Sequence, residues 1–145
     1  MDRMAKGERA EELSAVVVDT AFHIHRELGP GLLESVYEVV LARALARGGV
    51  GVERQHGVAF DYDGMHFAEG LRVDLLVGGV LVVELKSVET LALVHPKQVL
   101  TYLRLLDLPL GLLINFGSAT FREGCRRIVN RHPFCASSRL RLNQG

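Results

Sequence analysis

Leu71-Arg72-Val73-Asp74-Leu75-Leu76-Val77-Gly78-Gly79-Val80-Leu81-Val82-Val83-Glu84-Leu85-Lys86 reads as two apolar strands joined by a glycine turn, with charges set inside both strands. Charged side chains in such runs are costly unless paired or bound to a cation. The loop length decides their register. A two-residue loop, Gly78-Gly79, pairs Val77 with Val80 and sends Asp74 and Glu84 to opposite faces. A three-residue loop, Gly78-Gly79-Val80, pairs Val77 with Leu81, and so sets Asp74 opposite Glu84 and Arg72 opposite Lys86. The odd-numbered residues from Leu71 to Leu85 then make a wholly apolar face, and the even-numbered face gathers every charge. The three-residue loop is therefore expected, with a glycine in the left-handed position of a bulge.

Two carboxylates side by side repel, and one tends to stay protonated. A divalent cation between Asp74 and Glu84 removes the conflict, and hard oxygen ligands suit Mg²⁺ or Mn²⁺. Lys86 projects from the same face as Glu84. An ammonium there positions an attacking water and offsets charge on a phosphoryl oxygen. The alternative is a buried salt bridge among Asp74, Glu84, Arg72 and Lys86, and spacing alone leaves both open.

Upstream, Arg9 to Leu28 carries Leu13, Val16, Val17, Thr20, Ile24 and Leu28 at helical spacing. Gly29-Pro30-Gly31 breaks that helix. A second helix is expected from about Leu32 to Arg47, ended by Gly48-Gly49. A polar strand follows from Val52 to Tyr62, then a hairpin turn at Asp63-Gly64. Strands are expected at Leu71–Val77 and Val80–Lys86, a helix at His95–Leu106, and a fully buried strand at Pro109–Phe116. Phe121 to Asn130 reads as a last strand or helix. Three antiparallel strands, a crossover helix and a further strand make an α/β domain with a mixed sheet and helices packed on it.

The 145 residues suit one domain, expected over 1–130. Apolar residues at 48% and charged residues at 23% are ordinary for a globular chain. No apolar run is long enough to span a bilayer, and the polar start lacks a signal-peptide core, so a cytoplasmic location is expected. Cys125 and Cys135 show no CxxC spacing, and two free thiols are expected. Residues 1–120 hold 11 basic and 16 acidic side chains, whereas residues 121–145 hold six arginines and one glutamate. The basic tail at 131–145 reads either as a phosphate grip or as a solvated, partly disordered end.

Asp74 followed by Glu84-x-Lys86 on the next strand resembles the signature of the PD-(D/E)XK nuclease superfamily. Gln98 and Tyr102, at i and i+4 on one helix face, resemble the Gln-x-x-x-Tyr motif of its RecB-like and lambda-exonuclease-like branch. Gly31-Leu32-Leu33-Glu34-Ser35-Val36-Tyr37 matches the Gly-x-x-Glu-x-x-Tyr element of the small bacterial GxxExxY family. Arg26-Glu27-Leu28-Gly29-Pro30-Gly31 and Leu112-Leu113-Ile114-Asn115-Phe116-Gly117 resemble that family too. The proline of the superfamily name is Val73 here, which leaves the carboxylate intact.

The resemblance implies a restriction-endonuclease-like core with a central mixed four-stranded sheet, in the order α-α-β-β-β-α-β. It also implies roles. Asp74 and Glu84 ligate the metal with the Leu85 carbonyl. Lys86 orients or activates the water. Glu34 reaches the same site directly or through a water, and Gln98 and Tyr102 touch substrate phosphate or brace the site. Tyr37 is expected in the core, its hydroxyl bonded near Glu34. His95 is expected at a helix start and Glu89 in a solvated loop. The function implied is a Mg²⁺- or Mn²⁺-dependent nuclease, hydrolysing phosphodiester bonds of DNA or RNA by a metal-activated water. The competing reading is a catalytically silent nuclease-fold module that binds nucleic acid or a protein partner as a homodimer.

Overall fold

A computed structural model of the protein describes residues 1–131. The tail expected over 131–145, apart from Arg131, and Cys135 lie outside the described residues. Helix α1 (Arg3–Leu28) starts earlier than the apolar periodicity does, because Asp2 caps it: its carboxylate accepts the Ala5 N–H at 2.7 Å. Ala10, Leu13, Val17, Ala21 and Ile24 form its buried stripe. Gly29 ends it with its N–H on the His25 carbonyl. Helix α2 (Glu34–Arg47) then buries Tyr37, Glu38, Leu41, Ala42 and Leu45. Tyr37 ties the joint between the helices. Its hydroxyl donates to the Gly29 carbonyl and accepts the Leu32 N–H, while its ring stacks on Phe116 at 4.3 Å.

Strands β1 (Val52–Tyr62), β2 (Met65–Val77) and β3 (Leu81–Lys86) form an antiparallel run. Helix α3 (Val94–Leu106) crosses over to β4 (Leu110–Asn115), parallel to β3. One helical turn, α4 (Phe121–Gly124), leads into β5 (Cys125–Val129), antiparallel to β4. The sheet is mixed and ordered β1-β2-β3-β4-β5. It has five strands, one beyond the four-stranded core, because the stretch Phe121 to Asn130, read as a last strand or helix, supplies both α4 and β5. The fifth is a short edge strand whose Arg126 and Arg127 are exposed, so it carries little apolar signal. Strand β2 also begins at Met65 rather than Leu71, since its first six residues are exposed in a hairpin arm beyond the core.

Two apolar clusters sandwich the sheet. One joins α1 and α2 to Leu75, Val77, Leu81, Val83, Leu85, Leu112 and Ile114. The other joins Val99 and Leu103 of α3 to Val73, Leu76, Val82 and Leu113. Strand β4 is buried along its whole length, as its unbroken apolar run requires. No helix of the described residues is long and apolar enough to cross a membrane.

Val77 pairs with Leu81, so the turn is the three-residue loop Gly78-Gly79-Val80. Both glycines take the left-handed conformation, with φ of 59° and 71°. One expectation fails at this point. Val73 lies in the α3 cluster with Leu76, three residues away, instead of with Leu75 and Val77. The strict alternation of β2 breaks at Asp74, so the odd-numbered apolar residues do not all share one face: Val73 and Leu71 lie on the α3 side.

A methyl group on Gly78 would meet Leu13 Cδ1 at 2.5 Å, whereas one on Gly79 meets open space. Gly79→Ala should therefore cost about 1–2 kcal/mol from the left-handed backbone alone. Gly78→Ala should cost more, about 2–3 kcal/mol, as strain and overlap add. Urea unfolding of both variants checks the order, and equal losses would count against this packing.

Candidate active site

The backbone ladder between β2 and β3 runs from Val77↔Leu81 to Leu75↔Val83 and stops there. At the next position the two carboxylates take over. The Asp74 N–H donates to Glu84 Oε1 at 2.7 Å, and the Leu85 N–H donates to Asp74 Oδ2 at 2.8 Å. The acidic pair is thus adjacent, as the register argument expected, but cross-linked through side chains rather than by a regular strand pair. Backbone N–H groups that would lack partners where the strands part are satisfied.

Glu84 is 7% exposed. Its pKa is pushed up to about 8, first by burial and then by the negative charge of Asp74. The Asp74 N–H and Lys86 pull the other way without cancelling the rise. Glu34, the first residue of α2, stands close enough to feel both Lys86 and Asp74. Burial raises its pKa, against the pull of Lys86. Tyr102 on α3 is half-buried, and its hydroxyl pKa is raised by burial, then by Glu84 and Asp74. Asp74 and Glu84 are thus in contact, Glu34 lines the same groove as Asp74, and Lys86 and Tyr102 are near enough to interact with the pair's charge. Gln98 is exposed one turn before Tyr102, and its side chain makes no hydrogen bond among the described residues.

The salt-bridge alternative is not what forms. Arg72 pairs with Glu69. Lys86 makes no ion pair within 4.0 Å among the described residues. His95 accepts the Ala92 N–H in the turn entering α3, and Glu89 is exposed.

Three residues join the site that the sequence pattern had not singled out. Glu38 is 5% exposed and receives Arg54 Nε at 3.0 Å and Gln55 Nε2 at 2.6 Å. Gln55 Nε2 also reaches Asp74 Oδ1 at 3.3 Å. Glu34, Glu38, Arg54, Gln55 and Asp74 line one open groove of about 550 Å³. A legible signal existed for Glu38: it lies one turn after Glu34, within the apolar stripe of Leu41, Ala42 and Leu45.

The donor set suits a hard divalent cation. Two adjacent carboxylates, one held protonated by burial and repulsion, present oxygens that a cation would satisfy in place of the proton. Among the described residues no three His, Cys, Asp or Glu side chains form a ready-made metal cluster.

A model of the PD-(D/E)XK nuclease superfamily matches residues 11–128. The chain belongs to that superfamily. The match covers most of α1, all of α2, α3 and α4, the acidic strands and most of β5. No curated protein matches the chain. Among solved structures it is similar to the crystal structure of SSO0001, with a TM-score of 0.51 and 20% identity over 77% of this chain. The chain spans 56% of that protein's length. That likeness speaks for the fold alone, and it is consistent with a restriction-endonuclease-like architecture for this superfamily member.

The raised Glu84 pKa has a consequence for stability. A folded value of about 8 against 4.5 when unfolded means that the native state holds the extra proton. Its contribution is full below pH 4.5 and is lost as pH rises through about 8. In EDTA, stability should fall by about 1.4 kcal/mol per pH unit across that window. Thermal melting between pH 5 and 8 measures the slope. Glu84→Gln should flatten it, and an unchanged slope would show that another group is responsible.

Proposed function

We propose that this superfamily member is a Mg²⁺- or Mn²⁺-dependent nuclease that hydrolyses phosphodiester bonds of DNA or RNA. The observation that carries the proposal is that the acidic pair is left uncompensated. Asp74 and Glu84 sit side by side, yet neither is neutralised by Arg72 or Lys86. Asp74 and Glu84 would hold the cation, with the Leu85 carbonyl as a third donor and Glu34 beside them. A cation bound there supplies the positive charge that polarises a phosphoryl oxygen and makes water acidic enough to attack.

The chain's own residues supply the rest. The Lys86 ammonium, which has no ion-pair partner within 4.0 Å among the described residues, is placed to donate to the attacking water and to meet charge building on a non-bridging oxygen. The Asp74 carboxylate is fixed by two donors and so does not need to reorganise as charge develops. Tyr102 stands at the pair with its hydroxyl protonated over the neutral range, ready to donate to a phosphate oxygen. Gln98, one turn away and exposed, would contact the strand beyond the scissile bond.

A second reading keeps the fold without the chemistry. Exposed Leu33 and Leu93, at the starts of α2 and α3, offer apolar contacts that a nuclease does not need. A homodimer, or a module that holds nucleic acid or a protein partner, would use them.

Purified protein should cut single- or double-stranded DNA or RNA when Mg²⁺ or Mn²⁺ is added, and not in EDTA. Asp74→Ala and Lys86→Ala should each lower the rate by roughly 10²–10³-fold or more. A gel assay with labelled substrates reads this directly. Failure of all four substrates with both metals would leave the binding module as the better account.

A further inference from the structure

Gln55 lies inside β1 with φ of +52°. Few non-glycine residues adopt that left-handed backbone, and such strain gathers where a structure is held for a purpose. The sheet does not ask for it. On either side the ladder is regular, Arg54 opposite Leu75 and His56 opposite Val73. The distortion accompanies an unusual reach of the side-chain amide. Its Nε2 donates to Glu38 Oε1 at 2.6 Å and to Asp74 Oδ1 at 3.3 Å. A primary amide nitrogen has two N–H bonds, so both are committed, one to each carboxylate.

Glu38 is itself immobile. It is 5% exposed. Arg54 grips its other oxygen through Nε at 3.0 Å and a terminal nitrogen at 2.9 Å. The contacts of guanidinium and amide thus hold both Glu38 oxygens. A line of fixed contacts thus runs from Arg54 through Glu38 and Gln55 to Asp74. At its end each Asp74 oxygen accepts one hydrogen bond, Oδ1 from Gln55 and Oδ2 from the Leu85 N–H. A carboxylate has about four lone-pair sites. One on each oxygen remains for a ligand entering from the groove that Gln55 and Asp74 both line.

We propose that Gln55, anchored by buried Glu38, is a positioning residue that fixes the orientation of the Asp74 carboxylate for a divalent cation. This rests on the metal-dependent reading given above. Partners behind a ligating carboxylate set its direction and basicity, and their loss weakens metal binding by roughly 10–100-fold.

The experiment is calorimetric titration of the intact protein with Mn²⁺ alone, beside thermal melting in EDTA. Gln55→Gly accepts the left-handed backbone and deletes the whole side chain, the amide included. Gln55→Asn also tolerates that backbone, and its amide is too short to span both carboxylates. Both variants should melt at or above the wild-type temperature and bind Mn²⁺ roughly 10–100-fold more weakly. Should Gln55→Gly fail to fold, Gln55→Asn gives the answer. Wild-type affinity in the folded variants would overturn the proposal, as would a loss of affinity no larger than the loss of melting temperature accounts for. A wild-type protein that takes up no Mn²⁺ would instead sink the metal-dependent reading, and this inference with it. The two failures are therefore distinguishable.

Discussion

Where β2 and β3 separate, two carboxylates stand in for the backbone. The Asp74 N–H reaches the Glu84 side chain, and the Leu85 N–H reaches the Asp74 side chain. Each acid therefore has a structural duty: it satisfies an amide that parting strands would otherwise leave without a partner. The same contacts hold the two acids adjacent despite their mutual repulsion. The remaining elements organise around this opening. Strand β4 carries β3 on its far side in parallel register, α3 lays Tyr102 beside the pair, and α2 starts with Glu34 close by.

The cost of this arrangement is concentrated on Glu84. Buried and next to another carboxylate, it holds its proton up to about pH 8. In a purely structural role that is a defect, because a glutamine would accept the same amide bond without repulsion. The surrounding core is large enough to carry it. Leu81, Val82, Val83 and Leu85 around it are all fully buried, and they divide between clusters on the two faces of the sheet. Burial of such side chains stabilises by about 1.5–3 kcal/mol each. A dry, rigid surround is also what gives electrostatic groups their strength. The apolar strands thus support the acids and sharpen them at once.

How much of this could be read from the residues follows from what sets each feature. The β2–β3 register was legible because the pleat has a period of two, so one slip scatters charge over both faces. The buried β4 was legible from its unbroken apolar run. The break in alternation at Asp74 was not, since it arises from side-chain-to-backbone bonds that a period cannot encode. The fifth strand was legible only as a strand or helix over Phe121 to Asn130, since it is a short edge segment where Arg126 and Arg127 face solvent. Of the residues named from the motifs, Asp74 and Glu84 lie in direct contact, and Glu34, Lys86 and Tyr102 stand near enough to interact with their charge. Gln55 was invisible for a physical reason: its role depends on a left-handed backbone that nothing in Val52-Glu53-Arg54-Gln55-His56 announces. Glu38 could have been caught as a charge inside an apolar helical stripe.

The partition of the arginines completes the case. Three could in principle have quenched nearby acids, and each is committed elsewhere. Arg72 is held by Glu69, Arg54 by Glu38, and Arg127 by Glu11 across from α1. Guanidinium groups grip carboxylates through a rigid fork and, once seated, compete poorly for another acid. Each of these pairings commits a guanidinium to an acid other than Asp74 and Glu84. What remains beside the acids is Lys86, a compact charge on a flexible stem with three rotatable donors. Such a group can meet a water or a phosphate oxygen without locking onto either carboxylate. A fold that needed only neutrality would have turned Arg54 or Arg72 inward. This one leaves Asp74 and Glu84 without an ion-pair partner among the described residues, with Glu84 keeping a proton that a cation could replace and Lys86 near enough to interact with it.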